Sequence, residues 1–300
     1  MCCMIMLIFS FVGVAFLTLL ERKVLGFIQN RKGPMKVGVY GVFQPFSDAI
    51  KLYTKEFFIP LKINFYPYWL SPIFSMLISM LVWLVFPYYY LLVSWKYSIL
   101  FVFSIMSLSI FGVLISGWAS NSCYSILGSI RAIAQSISYE VSFFFLLVCL
   151  MLFTSSSNFN SFLEVQINMW LIFSSFPLFL MLFISFLAEL NRSPFDFAEG
   201  ESELVSGFNI EYGSTGFAFI FLAEYLSILF SGMLMSLMFF SNTVFNINFF
   251  LKLLSVSFLI ILIRGVLPRY RYDKLMNLCW KIYLSSSLML IMFYCGVSIL

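Results

Sequence analysis

Residues 97–130 read YSILFVFSIMSLSIFGVLISGWASNSCYSILGSI, a run without a single Asp, Glu, Lys or Arg. A helix needs ~20 predominantly apolar residues to cross the ~30 Å hydrocarbon core of a bilayer, and this run supplies them. So do the uncharged runs 63–95, 141–163, 165–188, 225–251 and 282–300, while 253–263 is shorter. Of the 300 residues 62% are hydrophobic and 10% charged, against roughly 25% charged in a soluble domain. Lipid is therefore the main solvent of this chain, and in lipid a single segment satisfies its backbone only as a helix or in a closed barrel. Runs of this length predict an all-α, polytopic bundle of about eight spans, near 2–20, 68–90, 97–118, 135–155, 166–188, 216–240, 247–264 and 278–298. They form one integral-membrane domain over 1–300.

The opening MCCMIMLIFSFVGVAFLTLLERK has no basic segment ahead of its apolar run and no small-residue cleavage site after it. It reads as a permanent first span rather than a signal peptide. The 39 Phe residues fit an AT-rich organellar gene. With no His, bis-His haem and His-bound copper are excluded. The cysteines Cys2, Cys3, Cys123, Cys149, Cys279 and Cys295 have no Cys-x-x-Cys spacing and read as inert thiols in apolar surroundings.

Eight spans put the first, third, fifth and seventh connections, at about 21–67, 119–134, 189–215 and 265–277, on one side. With the adjoining helix ends these hold all of the 17 Lys and Arg except Lys96 and Lys252. The positive-inside rule then assigns them to the matrix or cytoplasm. No internal repeat is evident, which argues against an inverted-repeat transporter.

The first of these connections is basic, and QPFSDAIKLYTKEFF within it places Phe46, Ile50, Tyr53 and Phe57 at helical spacing, with Asp48, Lys51 and Lys55 on another face. This predicts a short amphipathic helix lying at the membrane surface, with Pro45 in its first turn. The 189–211 segment reverses the charge, with Glu189, Asp196, Glu199, Glu201, Glu203 and Glu211 against Arg192 alone. Ser193-Pro194-Phe195-Asp196 has the form of a helix start closed by a capping box. From it Asp196, Glu199 and Glu203 would share a face, with Glu201 elsewhere and Gly207 as the stop. The 264–281 segment returns to positive charge, carrying Arg264, Arg269, Arg271 and Lys274 beside Asp273. Those bases read either as membrane-edge anchors or as counter-charges to the acidic loop.

Three carboxylates need a reason to be in or at the end of spans: Glu140, Glu189 and Glu224, the last about 12 Å deep at 1.5 Å per residue. A carboxylate in a span costs up to ~3 kcal/mol, so it faces the bundle interior or water and finds a partner. Ion pairs such as Glu140 with Arg131 or Glu189 with Arg192 are one reading. A proton relay beneath the acidic loop is the other.

The segments LLERKVLGFIQNRKGPMKVG, QPFSDAIKLYTKE, SGWASNSCYSILGSIRAIAQSISYEVS, LAELNRSPFDFAEGESELVSGFNIEY, FLAEYLSILF and RGVLPRYRYDKLMNLCWK resemble, in order, the motifs of the subunit 1 family of mitochondrial NADH:ubiquinone oxidoreductase, respiratory complex I. Met35, Leu190 and Cys123 depart from the usual pattern, none at a charged motif position. The resemblance implies a membrane subunit of the inner mitochondrial membrane that has ubiquinone as substrate and binds no cofactor itself, flavin and iron-sulfur clusters residing in partner subunits. Its partners would be the other membrane subunits, the peripheral arm and membrane lipids, and no nucleic acid. By the same resemblance Arg22, Asp48, Phe217 and Phe221 match positions at the quinone tunnel. Glu140, Glu189, Asp196, Glu199, Glu201, Glu203, Glu211 and Glu224, with Arg131 and Arg192, match an acidic path from that chamber into the membrane. A purely structural anchor for a soluble arm is the rival reading, with the acids as interface partners only.

Overall fold

The computed structural model describes residues 2–88, 95–198, 200, 207–241, 243–244 and 246–299. Among them there is helix and turn and no strand. The helices are α1 (Cys2–Ile28), α2 (Gln44–Thr54), α3 (Phe65–Val82), α4 (Ser98–Ala119), α5 (Cys123–Thr154), α6 (Phe159–Val165), α7 (Leu171–Ser174), α8 (Phe176–Glu189), α9 (Ser214–Phe239), α10 (Ile247–Val266), α11 (Tyr272–Asn277) and α12 (Leu284–Ile299). A π-helical stretch, Leu278–Tyr283, joins α11 to α12.

Seven of these units are long and apolar enough to cross a bilayer. The fifth expected span differs. Instead of one helix over 166–188 it is α7 and the 14-residue α8, broken at Ser175, whose backbone leaves the helical region (φ −134°, ψ 42°). Pro177 explains the break: it has no N–H, and its ring would collide with the carbonyl four residues earlier. It fits only in the first turn of a new helix, where it stands. Two other spans are longer than the uncharged runs suggested. α1 continues to Ile28 through Glu21, Arg22 and Lys23, and α5 starts at Cys123 and carries Arg131 and Glu140 within it. On α1, Glu21, Arg22 and Lys23 are each held by tertiary partners, so charge does not mark the helix end.

The amphipathic helix forms as expected, with Pro45 in its first turn. It ends at Thr54, leaving Phe57 beyond it. Before it, Asn30 at φ +55° reverses the chain. Gly33 then packs on α1 so closely that a Cβ would lie 2.9 Å from the Lys23 Cα.

α9 is the central helix. Over an 18-residue stretch of it 67% of the residues are buried, against 28% for α1 and α4. It packs on α3, α10, α1 and α2, and its Leu226, Leu234, Leu237 and Phe239 are fully buried in the main core. The four expected inner connections gather at one end of the bundle. Asn64 N–H donates to Ala119 O at 3.0 Å, Asn121 Nδ2 to Lys62 O at 2.9 Å, and Tyr270 N–H to Pro194 O at 2.9 Å. At the other end Ser157 Oγ donates to Lys96 O at 3.3 Å, and Gln166 Nε2 donates to Leu237 O and Met238 O.

Candidate functional site

At the charged end, the carboxylate of Glu21 lies inside the bundle because α1 runs on past it; the residue is 5% exposed. It accepts a hydrogen bond from Tyr225 Oη of α9 at 2.7 Å and one from Arg264 Nη1 of α10. Arg192 Nη1, from the loop after α8, stands 3.6 Å from the same carboxylate, and its Nη2 stands 4.0 Å from Glu224. The Arg192 guanidinium also lies over the Tyr225 ring, 4.8 Å from its centroid, a cation–π arrangement. Burial disfavours the charge on Arg192, but Glu21, Tyr225 and Glu224 outweigh it and hold its pKa above the ordinary arginine value. Three helices and one loop are thus tied by a buried carboxylate shared between two cations.

Beside this centre is a cavity of about 150 Å³ between α3, α4, α8 and α9. Glu189, Arg192, Asp196, Glu224 and Arg264 all line it. So do Ser71, Ser75 and Ser79, at i, i+4 and i+8 on one face of α3, and Ser109 and Ser116 of α4. The hydroxyls of Ser75, Ser79, Ser109 and Ser116 donate to carbonyls three residues back on their own helices. That leaves their oxygens as acceptors toward the cavity. One water needs only roughly 10–15 Å³ of such space and two to four polar partners, so the cavity has room for several, lined by groups that take and give protons.

Asp196 reaches this lining from a run of turns, not from a helix. The helix start read at Ser193 is absent, and residues 193–198 turn without an α-helical residue. Tertiary partners account for that path. Arg269 Nη2 donates to Asp196 Oδ2 at 3.1 Å, Gln135 Nε2 of α5 donates to Phe195 O at 2.9 Å and to Ala188 O at 2.7 Å, and Phe195 and Phe197 are buried in the core. The Arg269 pair is the counter-charge arrangement read from the sequence. Glu199, Glu201 and Glu203 lie outside the described residues.

The remaining acids are placed separately. Glu140, on α5, has a buried Oε1 without a hydrogen-bond partner, and it stands near enough to Glu189 for the two carboxylates to interact. Arg131 is nine residues away on the same helix, about 13 Å along the axis and on the opposite face, too far for the ion pair considered above. The other pair considered, Glu189 with Arg192, gives way to Arg192 with Glu21 and Glu224. Glu211 contributes its backbone carbonyl, which accepts from Tyr68 Oη at 2.7 Å. Tyr68 stacks on Tyr212 at 4.5 Å, and Tyr212 Oη bonds Ser71 Oγ at 2.9 Å.

On the other side of α1, Arg22 Nη1 pairs with Asp48 Oδ2 at 2.5 Å, joining α1 to α2. Gln44 Nε2 holds the second oxygen of Asp48 at 2.9 Å. Phe217 and Phe221 meet at 4.2 Å between ring centroids, and Phe221 is followed by Tyr225 at 6.4 Å. One face of α9 therefore carries an aromatic row that leads to the Glu21 centre.

Glu21 and Tyr225 were not singled out in the sequence, and Arg264 read either as a membrane-edge anchor or as a counter-charge to the acidic loop. Glu21 resembles one more charge in the ERK cluster that ends an apolar run, and only the continuation of α1 to Ile28 puts it inside. A carboxylate facing the apolar stripe of a span was the available signal.

Predominantly apolar helices closed around shared carboxylates and guanidiniums at one end define a polytopic membrane protein with an internal acid–base centre. Residues 1–295 match the family described as NADH dehydrogenase. NADH-ubiquinone oxidoreductase chain 1 of Aedes aegypti is 54% identical, the match covering 99% of this chain and 95% of that protein. The protein of the same name from Anopheles gambiae is 53% identical over 99% and 94%, and that of Sapajus apella 43% over 97% and 94%. The chain belongs to the NADH dehydrogenase family, in agreement with the resemblance carried by its motifs.

Proposed function

We propose that this chain, a core membrane subunit of NADH:ubiquinone oxidoreductase, forms the membrane part of the ubiquinone chamber and the first stretch of an acidic path coupling quinone reduction to proton translocation. The observation that carries this reading is the cavity on which Glu189, Asp196 and Glu224 converge from three segments, joined by Arg192 and Glu21 to the aromatic face of α9. An isoprenoid tail needs an apolar surface open to lipid, and Phe217 and Phe221 offer one at the level of α1 and α2. The Arg22–Asp48 pair ties α1 to α2, which packs on α9. The chain works within the inner mitochondrial membrane, its four charged connections on the matrix side and its partners the peripheral arm and the other membrane subunits. Electrons reach ubiquinone from the flavin and iron-sulfur clusters of those partners. This chain supplies the binding surface and the groups that take up and pass on protons.

A change of charge at the quinone headgroup acts on Arg192 first, since that cation divides its attraction between Glu21 and Glu224 at 3.6 and 4.0 Å. A small shift of the guanidinium toward either acid alters the field on the other. Glu224, Glu189 and Asp196 then respond across the cavity. Replacing Phe221 with Glu tests the chamber: ubiquinone reduction by the assembled complex falls, while NADH oxidation with an artificial hydrophilic acceptor persists. Equal loss of both in assembled enzyme would overturn the quinone role.

A further inference from the structure

At the end of the bundle opposite the acidic centre, the chain carries two bases, Lys96 and Lys252. Lys96 is exposed in a connection, whereas Lys252 stands within α10, in its second turn. A base inside a span on the side that the positive-inside rule depletes calls for a compensating group. Its Nζ donates to Phe240 O, just past the end of α9, at 2.6 Å, and lies 4.4 Å from the centroid of the Trp170 ring. Both contacts orient the ammonium and neither neutralises it. It forms no ion pair with a described carboxylate.

The ammonium faces a cavity of about 320 Å³ lined by Trp170, Thr243, Asn246, Asn248, Phe249 and Lys252. Asn246 Nδ2 donates to Thr243 Oγ1 at 2.9 Å, which leaves the threonine hydroxyl free to donate outward. Lys252 keeps two further N–H donors, and Asn248 brings an amide. A net positive charge with hydroxyl and amide donors at headgroup depth suits a phosphodiester anion. Two apolar strips run from this cavity toward mid-membrane. Phe173, Phe176 and Leu180 are exposed along α7 and α8, and Leu251, Leu254 and Phe258 along α10. A free phosphate uses the head of this site alone, whereas a phospholipid uses the head and both strips.

We infer that the Lys252 cavity is a phospholipid site, with the phosphate on Lys252 and its neighbouring donors and the acyl chains on the two strips. The test uses the assembled complex in membranes with two lipids carrying the same photoreactive acyl chain, a phosphatidyl lipid and a diacylglycerol, and maps the labelled peptides of this chain. The phosphatidyl probe labels peptides 170–180 and 247–260 in preference to the diacylglycerol. Lys252→Gln lowers its labelling about fivefold, the effect of one lysine on lipid phosphate binding, and Lys252→Arg preserves it. Equal labelling by the two probes in the unaltered complex, or labelling unchanged in Lys252→Gln, overturns the site. Displacement of the phosphatidyl probe by millimolar inorganic phosphate overturns the lipid assignment in favour of a soluble anion. If Lys252→Gln fails to assemble, the comparison of the two probes on the unaltered complex decides.

Discussion

Glu21 and Glu224 are both acids near Arg192, yet they differ in what their loss would do. Glu21 is buried and holds Arg264 and Tyr225 directly. Glu21→Gln leaves two guanidiniums facing an amide, and removing one partner from a buried ion pair costs about 3–5 kcal/mol. The lower end applies, because the Arg264 side chain is 33% exposed and water screens it. The expected outcome is a fall in assembled complex on native gels and earlier thermal inactivation. Glu224 faces the cavity with its side chain 26% exposed and 4.0 Å from Arg192. Glu224→Gln keeps size and hydrogen bonding, so the complex assembles while turnover is slowed or uncoupled, read as protons pumped per NADH in reconstituted vesicles. Normal coupling would eliminate Glu224 as an obligatory relay. Arg22 and Asp48 are a third case. With side chains 53% and 30% exposed, their pair contributes at most about 1 kcal/mol to stability. Asp48→Asn therefore leaves assembly intact, and ubiquinone reductase activity reports its role at the chamber rim. These contrasts were not legible in the sequence, where Glu21 and Asp48 are each one letter near a base and Glu224 is a lone acid in an apolar run.

Among the elements, the broken fifth span and the seating of the acidic segment on α5 decide the shape of the site. Pro177 was visible in an apolar run, but the run's composition alone read as one helix; proline geometry, not hydropathy, sets the break. Gly128 of α5 explains the second feature. A Cβ there would lie 3.0 Å from Ala198 O, 3.1 Å from Gly207 Cα and 3.1 Å from Phe208 N, and these are backbone atoms that cannot rotate aside. The absence of a side chain lets the loop backbone lie directly on the helix. Gly128→Ala is expected to destabilise the packed loop by about 1–3 kcal/mol, the usual cost of overpacking. The readout is a lower inactivation temperature of the assembled complex, with Gly128→Ser at least as severe. A neutral result would mean that the loop yields, and that its path is not fixed by this contact.

On the scale of the whole molecule, the charged connections meet at one end and all but two of the 17 bases avoid the other, an arrangement that fits a single orientation in the membrane. Labelling from the two sides of the inner membrane is expected to find residues 26–67, 189–215 and 268–276 on the matrix side and both termini opposite. Labelling of 189–215 from the intermembrane space would reverse the orientation and, with it, the side from which the acids are reached. The outer helices leave large apolar side chains uncovered, such as Met289 and Met292 on α12 at 75% and 74%. On a bilayer protein that surface belongs to lipid tails and neighbouring subunits.

By itself the sequence determined the class of fold, the number of membrane-length segments to within the broken one, the amphipathic α2, the grouping of charged connections and the family. Each of these rests on local composition, periodicity or ordered motifs, which a chain carries before it folds. Tertiary structure alone decided that α1 runs past Glu21, that Arg192 pairs with Glu21 and Glu224 rather than Glu189, that the chain turns at Ser193 instead of starting a helix, and that Lys252 faces a cavity. A charged side chain inside a bilayer protein takes its environment from whichever helices close around it, and those neighbours lie far off in sequence: Glu21 and Arg264 stand 243 positions apart.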